Sequence, residues 1–376
     1  MKTKILIVGA GFAGLSTAYH LARAGMKRVV VLEQAPRIGE HASGRNAGMI
    51  RQAIADPVLA RLAKDGARMI RNLPRKGWKN LDLRASGSLL LAARETHPEM
   101  VQIKKSLTQQ RIGFQSLSKL EVYRKSKALD DARFGAALFC PSDFVLDIDA
   151  LLKGFLERLR TWGIPVLLGE SVKKIERREE IFQVHTSKRK VQAEKIVNAA
   201  GAWASALSES AGASRIPLLG YRRHLFFSGS LKFSVRSWPF VWDLSKGLYF
   251  RPQRGHLLLS PCDKVPFNLK DRTKCRQAWS VDASMQQKFF KKLKRFSSAF
   301  SSLKIDRATA GLRTMSPDGR FVVGEDPKSP GFFWVAGLGG HGVTCAFSVG
   351  KLAAYQILGK PVDPKIQHAL SPARFA

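Results

Sequence analysis

The chain has 376 residues, 45% of them hydrophobic, and its 63 Lys and Arg against 29 Asp and Glu give a formal net charge of +34. This length allows a large core and predicts two domains. The sequence contains no run of about eighteen apolar residues, which excludes a membrane-spanning helix. Its first apolar run, Ile5–Val8, is too short for the core of a signal peptide. We therefore expect a cytoplasmic protein.

The basic excess bears on the choice of partner. A field of this sign attracts nucleic acid or acidic lipid at long range. The basic residues are spread along the chain, with local clusters at 188–190 and 291–295, and no pattern typical of nucleic-acid recognition accompanies them. The composition favours a solvated basic surface and leaves open a weak contact with a polyanion or with the inner face of the membrane.

The cysteines, Cys140, Cys262, Cys275 and Cys345, show neither CxxC spacing nor any spacing typical of metal ligands. In a chain predicted to be cytoplasmic, scattered cysteines indicate reduced thiols. The sequence therefore predicts no disulfide and no metal site.

The clearest local pattern lies at the start of the chain. The apolar run Ile5–Val8 leads into a glycine-rich turn, a helical pattern over Leu15–Ala24, and a second apolar run over Arg28–Leu32 that ends at Glu33. This order predicts a strand–helix–strand unit of about thirty residues that binds a dinucleotide. Glu33 stands where an acidic side chain bonds the ribose hydroxyls and repels a 2′-phosphate, which disfavours NADP.

Each glycine of the turn has a physical task. Gly9 permits the tight turn, Gly11 lets backbone amides approach a pyrophosphate, and Gly14 lets the helix pack closely on the strand. The unpaired N–H groups at the helix N-terminus then attract the phosphates. The pattern alone does not distinguish FAD from NAD.

The segment after the ribose acid is rich in small and turn-forming residues, and Ser43 and Arg45 are candidate phosphate ligands there. GxGxxG…E followed by ASGRNAG resembles the D-amino-acid oxidase superfamily of flavoproteins, which includes glycine oxidase, sarcosine oxidase and D-amino-acid dehydrogenases. The resemblance implies FAD as cofactor, with Ser43, Arg45 and Asn46 beneath its diphosphate. Some relatives attach FAD covalently through a histidine in a comparable stretch, where this chain has His41, but the resemblance favours non-covalent FAD.

The middle of the chain alternates helical and strand patterns. Helices are predicted over Pro57–Asn72, Glu99–Gln110 and Asp147–Trp162, and strands over Ser86–Leu91, Pro165–Leu168, Ser171–Ile175, Ile181–Thr186, Lys190–Gln192 and from Lys195. The last strand leads into VNAAGAW, which resembles the segment where the superfamily returns to FAD. By that resemblance Val172 touches the adenine, and Ala200, Gly201 and Trp203 line the middle of the cofactor.

From Tyr221 onward the pattern changes to short strands. They are predicted over Arg222–Phe227, Phe240–Leu244, Gly247–Arg251 and His256–Ser260, with turn spacing typical of an antiparallel sheet. The resemblance makes this sheet a wall of the substrate cavity, with Arg223 and Tyr249 at the substrate carboxylate. A basic amphipathic helix over Gln286–Ser297 follows, and core packing is favoured over membrane binding.

The last part of the chain carries the second signature, GLRTMSPDG, then a strand over Phe332–Val335 and a glycine-rich junction that opens a helix to Ile357. Such a junction presents amides and the positive end of a helix dipole to an anion. By resemblance this element contacts the flavin, which favours FAD over NAD; its contact residues are Gly339, Gly340, Gly342, Val343 and Thr344. His341 either faces the flavin ring or bonds backbone.

Arg313, in the GLRxxxPDG motif, is the first candidate for a functional side chain. The resemblance pairs it with the substrate carboxylate, which a guanidinium fork matches bidentately. Sarcosine-oxidase relatives link flavin to a cysteine just before this motif, where this chain has Gly311.

The predicted fold class is α/β, α+β overall, with a Rossmann-like FAD-binding domain and an antiparallel-sheet substrate domain in a glutathione-reductase-2-like flavoprotein architecture. The FAD-binding domain is predicted to comprise 1–50, 141–220 and 306–376, and the substrate domain 51–140 and 221–305.

The predicted function is oxidation of the C–N bond of a D-amino acid or related amine, such as glycine or an N-methyl amino acid, by hydride transfer to flavin N5. The predicted catalytic residues are Arg313, Tyr249, Arg223 and His341. The strand around 86–90 has no acidic residue, which disfavours a basic substrate, and the strand at 256–260 has no lysine. By comparison with sarcosine oxidases, the latter favours a quinone or carrier over O2 as electron acceptor. A 2-hydroxy-acid dehydrogenase and a tRNA-modifying flavoprotein are the alternatives.

Overall fold

The computed structural model describes residues 1–74, 76–231, 235, 237–267 and 279–376. Its strands are β1 (Lys2–Val8), β2 (Val29–Glu33), β3 (Met49–Ile50), β4 (Ser88–Ala92), β5 (Gln115–Ser116), β6 (Ala136–Cys140), β7 (Phe144–Val145), β8 (Val166–Leu168), β9 (Val172–Arg178), β10 (Ile181–Thr186), β11 (Lys190–Asn198), β12 (Leu219–Ser228), β13 (Phe240–Asp243), β14 (Leu248–Gln253), β15 (His256–Ser260), β16 (Val265–Phe267), β17 (Ile305–Met315), β18 (Val322–Glu325) and β19 (Phe332–Ala336). Its helices are α1 (Phe12–Arg23), α2 (Pro57–Arg71), α3 (Pro98–Gln109), α4 (Lys119–Lys125), α5 (Ile148–Thr161), α6 (Ala204–Ser210), α7 (Ala283–Phe296), α8 (Ala346–Ile357) and α9 (Pro364–Leu370).

The first sheet has the strand order β18-β19-β11-β1-β2-β8, and the β9–β10 hairpin is attached to β11. Strand β1 runs parallel to both β11 and β2, and β2 runs parallel to β8. Helix α1 connects β1 to β2 and packs on α8. The strand–helix–strand unit predicted from the glycine pattern is therefore the centre of a Rossmann-like sheet.

Strand β11 corrects one prediction. The sequence pattern indicated two separate strands, at 190–192 and from 195, but the structure has one continuous strand. Its start pairs antiparallel with β10 while its length pairs parallel with β1. Because β11 pairs with both β10 and β1, it connects the β9–β10 hairpin to the central parallel sheet.

The second sheet has the order β16-β12-β15-β14-β13-β4-β6-β5, with β17 along the other edge of β12. Most neighbours are antiparallel, as predicted, but β13 and β4 run parallel. Strands β12 and β17 pair over almost their whole length. The long ladder with β12 places β17 in this sheet. The domain boundary that the sequence predicted at 306 falls inside this strand.

Helix α2 also departs from the predicted domain assignment, which placed 51–140 on the substrate side. Its buried residues Leu59, Leu62 and Ile70 share one apolar core with Ile5 and the rest of the nucleotide-binding layer. A Cβ at Gly66 would lie 2.1 Å from the Thr344 carbonyl oxygen, so the glycine lets α2 approach the segment before α8. The helix therefore buttresses the Rossmann-like layer.

Helix α7 buries Phe289, Leu293 and Phe296 in the core of the second sheet, as predicted, and Asp282 caps its N-terminus. No helix in the described ranges is long and apolar enough to cross a membrane. Cys140, Cys262 and Cys345 are free thiols, whereas Cys275 lies outside the described residues.

Candidate active site

A cleft with a volume of about 950 Å³ lies where the two sheets meet. Its walls come from the β1–α1 turn, the end of β2 and the loop after it, the start of β9, the segment after β11, the middle of β17 and the loop after β19. The residues predicted to bind the cofactor that line it are Gly9, Gly11, Glu33, Ser43, Arg45, Asn46, Val172, Ala200, Gly201, Trp203, Gly339, Gly340, Gly342 and Val343. The cleft has the size of a small-molecule site.

The glycines of the first turn are required by close backbone approaches. Gly9 has φ +110°, and a Cβ there would lie 2.3 Å from the Ala199 carbonyl oxygen. A Cβ at Gly14 would lie 1.8 Å from the Gly9 carbonyl oxygen, so this glycine packs the helix on the turn instead of lining the cleft. A Cβ at Gly11 would lie 2.8 Å from Ser43 Oγ. The turn is thus a cradle that side chains would fill.

Glu33 ends β2 at the edge of this cradle. Its carboxylate accepts hydrogen bonds from the Ala10 amide at 2.8 Å and the Ala35 amide at 2.9 Å. Burial raises the pKa of this carboxyl group, and the two amides oppose that rise. The two amides fix the orientation of the carboxylate at the edge of the cleft.

The loop after β2 is held by its own polar residues. Ser43 Oγ accepts the Phe12 amide at 3.0 Å and so satisfies one of the free N–H groups at the start of α1. Arg45 donates to the Glu40 carbonyl oxygen and to Thr309 Oγ1, each at 2.9 Å, which ties the loop to β17. The Asn46 side chain bonds the backbone on both sides of it. These contacts fix the loop's shape along the cleft.

Aromatic rings cover one side of the cleft. The His41 ring contacts both Trp203 and Trp279, with centroid distances of 4.6 and 4.7 Å, and the two tryptophan rings are themselves 6.3 Å apart. Burial lowers the pKa of His41 to about 4, so the imidazole is neutral at neutral pH. No signal in the sequence indicated that Trp279 joins this group.

The loop after β19 presents Gly339, Gly340, Gly342 and Val343 to the cleft. The helix that follows begins at Ala346, later than predicted, because turns occupy the residues before it. Thr344 is buried beneath the loop. Its hydroxyl donates to the Met49 carbonyl oxygen and accepts the Arg51 amide, each at 3.2 Å. Thr344 therefore joins the loop to β3. The amides of the glycines in this loop belong to turns and not to the first turn of a helix.

Arg313 lines the end of the cleft formed by the second sheet. Its Nη2 lies 3.5 Å from the hydroxyl of Tyr249, which is buried beneath it. A Cβ at Gly340 would lie 2.9 Å from Arg313 Nη1, so the glycine makes room for the guanidinium. Burial, and then the charge of Arg223, lower the pKa of Arg313 to about 10. The side chain therefore stays charged at neutral pH.

Arg223 lies on β12 directly opposite Gly311 of β17, while Arg313 lies opposite Tyr221. The two arginines are thus diagonal neighbours on one face of the sheet, and both line the cleft. The sequence prediction that they lie together is supported by this register.

His341 and Tyr249, the other predicted catalytic residues, do not line the cleft. The His341 amide donates to the Leu338 carbonyl oxygen at 3.0 Å. Burial, and then the charges of Arg51 and Arg313, lower the pKa of His341 to about 3. The imidazole is therefore neutral and weakly basic.

Sequence reasoning missed Arg51 and Trp242. Arg51 is buried, and its guanidinium lies 4.1 Å from the Trp242 ring centroid; that ring is 4.8 Å from the Tyr249 ring. Burial lowers the pKa of Arg51. A single arginine among 63 basic residues carries no signal in the sequence, because only the fold shows which ones are buried.

A Rossmann-like sheet whose first turn is a cradle of glycines, facing a second sheet across a cleft, defines a dinucleotide-binding protein. The chain belongs to the family described as FAD dependent oxidoreductase, whose model matches residues 4–356. Members of this family use FAD and act on amino acids and amines, so FAD is the cofactor that the cradle of glycines and Glu33 fits.

The chain is 24% identical over 370 residues to 4-methylaminobutanoate oxidase (formaldehyde-forming) of Paenarthrobacter nicotinovorans, covering 95% of this chain and 44% of that protein. It is 25% identical over 394 residues to the mitochondrial dimethylglycine dehydrogenase of Mus musculus, covering 100% of this chain and 44% of the relative. The chain therefore spans less than half the length of these two proteins. The L-proline dehydrogenase from P. horikoshii has the same fold, with a TM-score of 0.89, 22% identity and coverage of 100% of this chain and 98% of the other.

Proposed function

We propose that this FAD-dependent oxidoreductase oxidises the C–N bond of a D-amino acid or a related amine such as glycine or an N-methyl amino acid. Loss of a hydride from the α carbon gives an imino acid, which water hydrolyses to a keto acid and ammonia, or to a keto acid and methylamine when the substrate is an N-methyl amino acid. The observation that carries the proposal is the charged guanidinium of Arg313, which lines the cleft 3.5 Å from the Tyr249 hydroxyl.

Arg313 binds the substrate carboxylate, because the guanidinium fork matches two carboxylate oxygens. Tyr249 lies beneath the guanidinium and limits its movement, and Arg223 approaches from the neighbouring strand. A carboxylate held this way fixes the α carbon and its hydrogen relative to the cofactor. Orientation of this kind supplies a large share of catalysis without a proton-transfer group.

The charges around the cleft favour a neutral amine. Arg223 and Arg313 line it and Arg51 lies nearby, so positive neighbours lower the pKa of a bound amine. His341, with a pKa of about 3, is too weak a base to take the proton near neutral pH. The amine therefore loses its proton to solvent as it binds, which leaves the nitrogen lone pair available.

Bound FAD would supply the hydride-accepting chemistry, with a second substrate as the final electron acceptor. The glycine turn and Glu33 would hold its diphosphate and ribose, and the loop of Gly339–Val343 its flavin end. Strand β15, His256–Ser260, carries no lysine. This supports transfer of electrons to a quinone or carrier in preference to O2.

The enantiomer and the location are also proposals. A carboxylate fixed against one face of the cofactor allows only one placement of the side chain, and we propose the D form. We propose a cytoplasmic protein in which the charge of +34 allows weak contact with a polyanion or a membrane surface. Salt-dependent binding to anionic vesicles or to tRNA would measure that contact.

Anaerobic mixing of the FAD-loaded protein with substrates tests the chemistry. The panel contains D- and L-amino acids, glycine, sarcosine, iminodiacetate and 2-hydroxyglutarate. We expect an amine to bleach the flavin and 2-hydroxyglutarate to leave it oxidised. Bleaching by the hydroxy acid alone would favour a 2-hydroxy-acid dehydrogenase. Tight binding of tRNA, with no bleaching by any compound of the panel, would favour a tRNA-modifying enzyme.

A further inference from the structure

Arg223 has more hydrogen-bond donors than the described residues supply acceptors for. The residue is buried, and within the described part of the chain neither Nε nor Nη1 has a hydrogen-bond partner. Buried polar groups in folded proteins are almost always paired. The unpaired donors therefore mark a place where a ligand atom is expected.

The nearest carboxylate does not fill this place. Asp263 Oδ1 lies 3.9 Å from Arg223 Nε, which is within ion-pair distance but too far for a hydrogen bond. Its oxygens instead accept the amide of His224 at 3.0 Å and the ring Nδ1 of His224 at 2.8 Å. Asp263 thus offsets part of the charge of the guanidinium but leaves Nε and Nη1 without a hydrogen bond.

Arg313 is in a similar position. Among the described residues its guanidinium has one hydrogen-bond partner, the Tyr249 hydroxyl at 3.5 Å, and no carboxylate within ion-pair distance. One carboxylate has two oxygens and is matched by a single guanidinium fork. The two arginines lie diagonal to each other on one face of the sheet, and both line the cleft. Together their guanidinium forks match two carboxylates.

We propose that Arg223 recognises a second carboxylate of the substrate while Arg313 holds the one next to the reacting carbon. The substrate class is then a dicarboxylic amine: an acidic amino acid such as aspartate, or an N-carboxyalkyl amino acid such as iminodiacetate. Diagonal positions in a sheet are about 7–8 Å apart, which suits carboxylates joined by a short linker. This inference rests on the proposed function and narrows it.

Binding to the oxidised FAD-loaded protein tests the inference without turnover. Succinate and butanoate have the same number of carbons and differ in one carboxylate, and the change they cause in the flavin's visible spectrum gives each dissociation constant. We expect succinate to bind about 10- to 100-fold more tightly, the size of one charge-assisted pair. Equal affinity for the two acids would overturn the inference.

The variant Arg223→Met locates the second carboxylate. Arg223→Met should weaken the binding of succinate far more than the binding of butanoate, whereas Arg313→Met should weaken the binding of both acids. Arg307→Met is the matched control, because Arg307 lies on β17 with the same charge but is exposed and packs on the Phe227 ring. If Arg223→Met weakened both acids equally, Arg223 would serve the first carboxylate or the fold, and the inference would be wrong.

Turnover separates this inference from the function it rests on. Iminodiacetate and N-ethylglycine share the reacting amine and differ in the second carboxylate. Faster flavin reduction by iminodiacetate supports both proposals. Equal reduction by the two would defeat only the dicarboxylate inference, whereas no reduction by any amine would defeat the proposed function.

Discussion

Replacing Arg313 with methionine removes the charged fork and keeps much of the side-chain volume. Truncating one member of a buried, hydrogen-bonded charge pair costs about 2–5 kcal/mol. At about 1.4 kcal/mol per factor of ten, kcat/KM should fall roughly 30- to 4,000-fold. The rate of anaerobic flavin reduction, measured with the amine that reduces the wild-type protein fastest, gives this value. FAD content should stay unchanged.

Two further measurements sharpen the test of Arg313. Tyr249→Phe removes a hydroxyl 3.5 Å from Arg313 Nη2 and should lower kcat/KM only about 2- to 10-fold. In the wild-type protein the pKa of Arg313 is about 10, so carboxylate binding should weaken as pH rises through that value and the cation is lost. Arg307→Met should match the wild type. If Arg313→Met kept its FAD and reduced it within about threefold of the wild-type rate, the carboxylate role would be refuted.

Two other predictions concern the cofactor cradle and the pH dependence of stability. A Cβ at Gly14 would lie 1.8 Å from the Gly9 carbonyl oxygen, so Gly14→Ala should displace α1 and abolish FAD retention. Gly113→Ala is the control and should retain FAD, because a Cβ there meets open space. A normal flavin-to-protein ratio in Gly14→Ala would contradict the proposal that this turn holds FAD. Burial lowers the pKa of His20 to about 3 from 6.5, so the unfolded chain binds a proton that the folded chain does not, and stability should fall as pH falls from 6.5 toward 3. The slope attributable to His20 is at most about 1.4 kcal/mol per pH unit, and denaturant unfolding at several pH values should show it reduced in His20→Phe; an unchanged slope would count against the buried neutral imidazole.

The nucleotide-binding unit could be predicted because its signal is local. Gly9, Gly11 and Glu33 lie within one strand–helix–strand stretch, and their spacing follows from the turn that they build. Arg313 was found through a motif. Its position beside Tyr249 depends on the pairing of strands far apart in the chain, which the sequence does not encode locally.

The misses have a common cause. Arg51 and Trp279 became part of the site through tertiary packing, and nothing in their immediate neighbours distinguishes them. The prediction placed α2 on the substrate side, whereas the helix packs in the core that contains β1, because an apolar stripe shows that one face is buried and not which partner buries it. The domain boundary predicted at 306 falls inside β17 for the same reason, since only pairing with the distant β12 determines where that strand lies.

The central claim is that Arg313 and the FAD cradle serve oxidation of a carbon–nitrogen bond. Single-turnover product analysis under anaerobic conditions tests it most directly. We predict one carbonyl product and one equivalent of ammonia, or of the released amine, for each flavin reduced. A carbonyl product without a nitrogenous one, or a flavin that no amine in the panel reduces, would contradict the account.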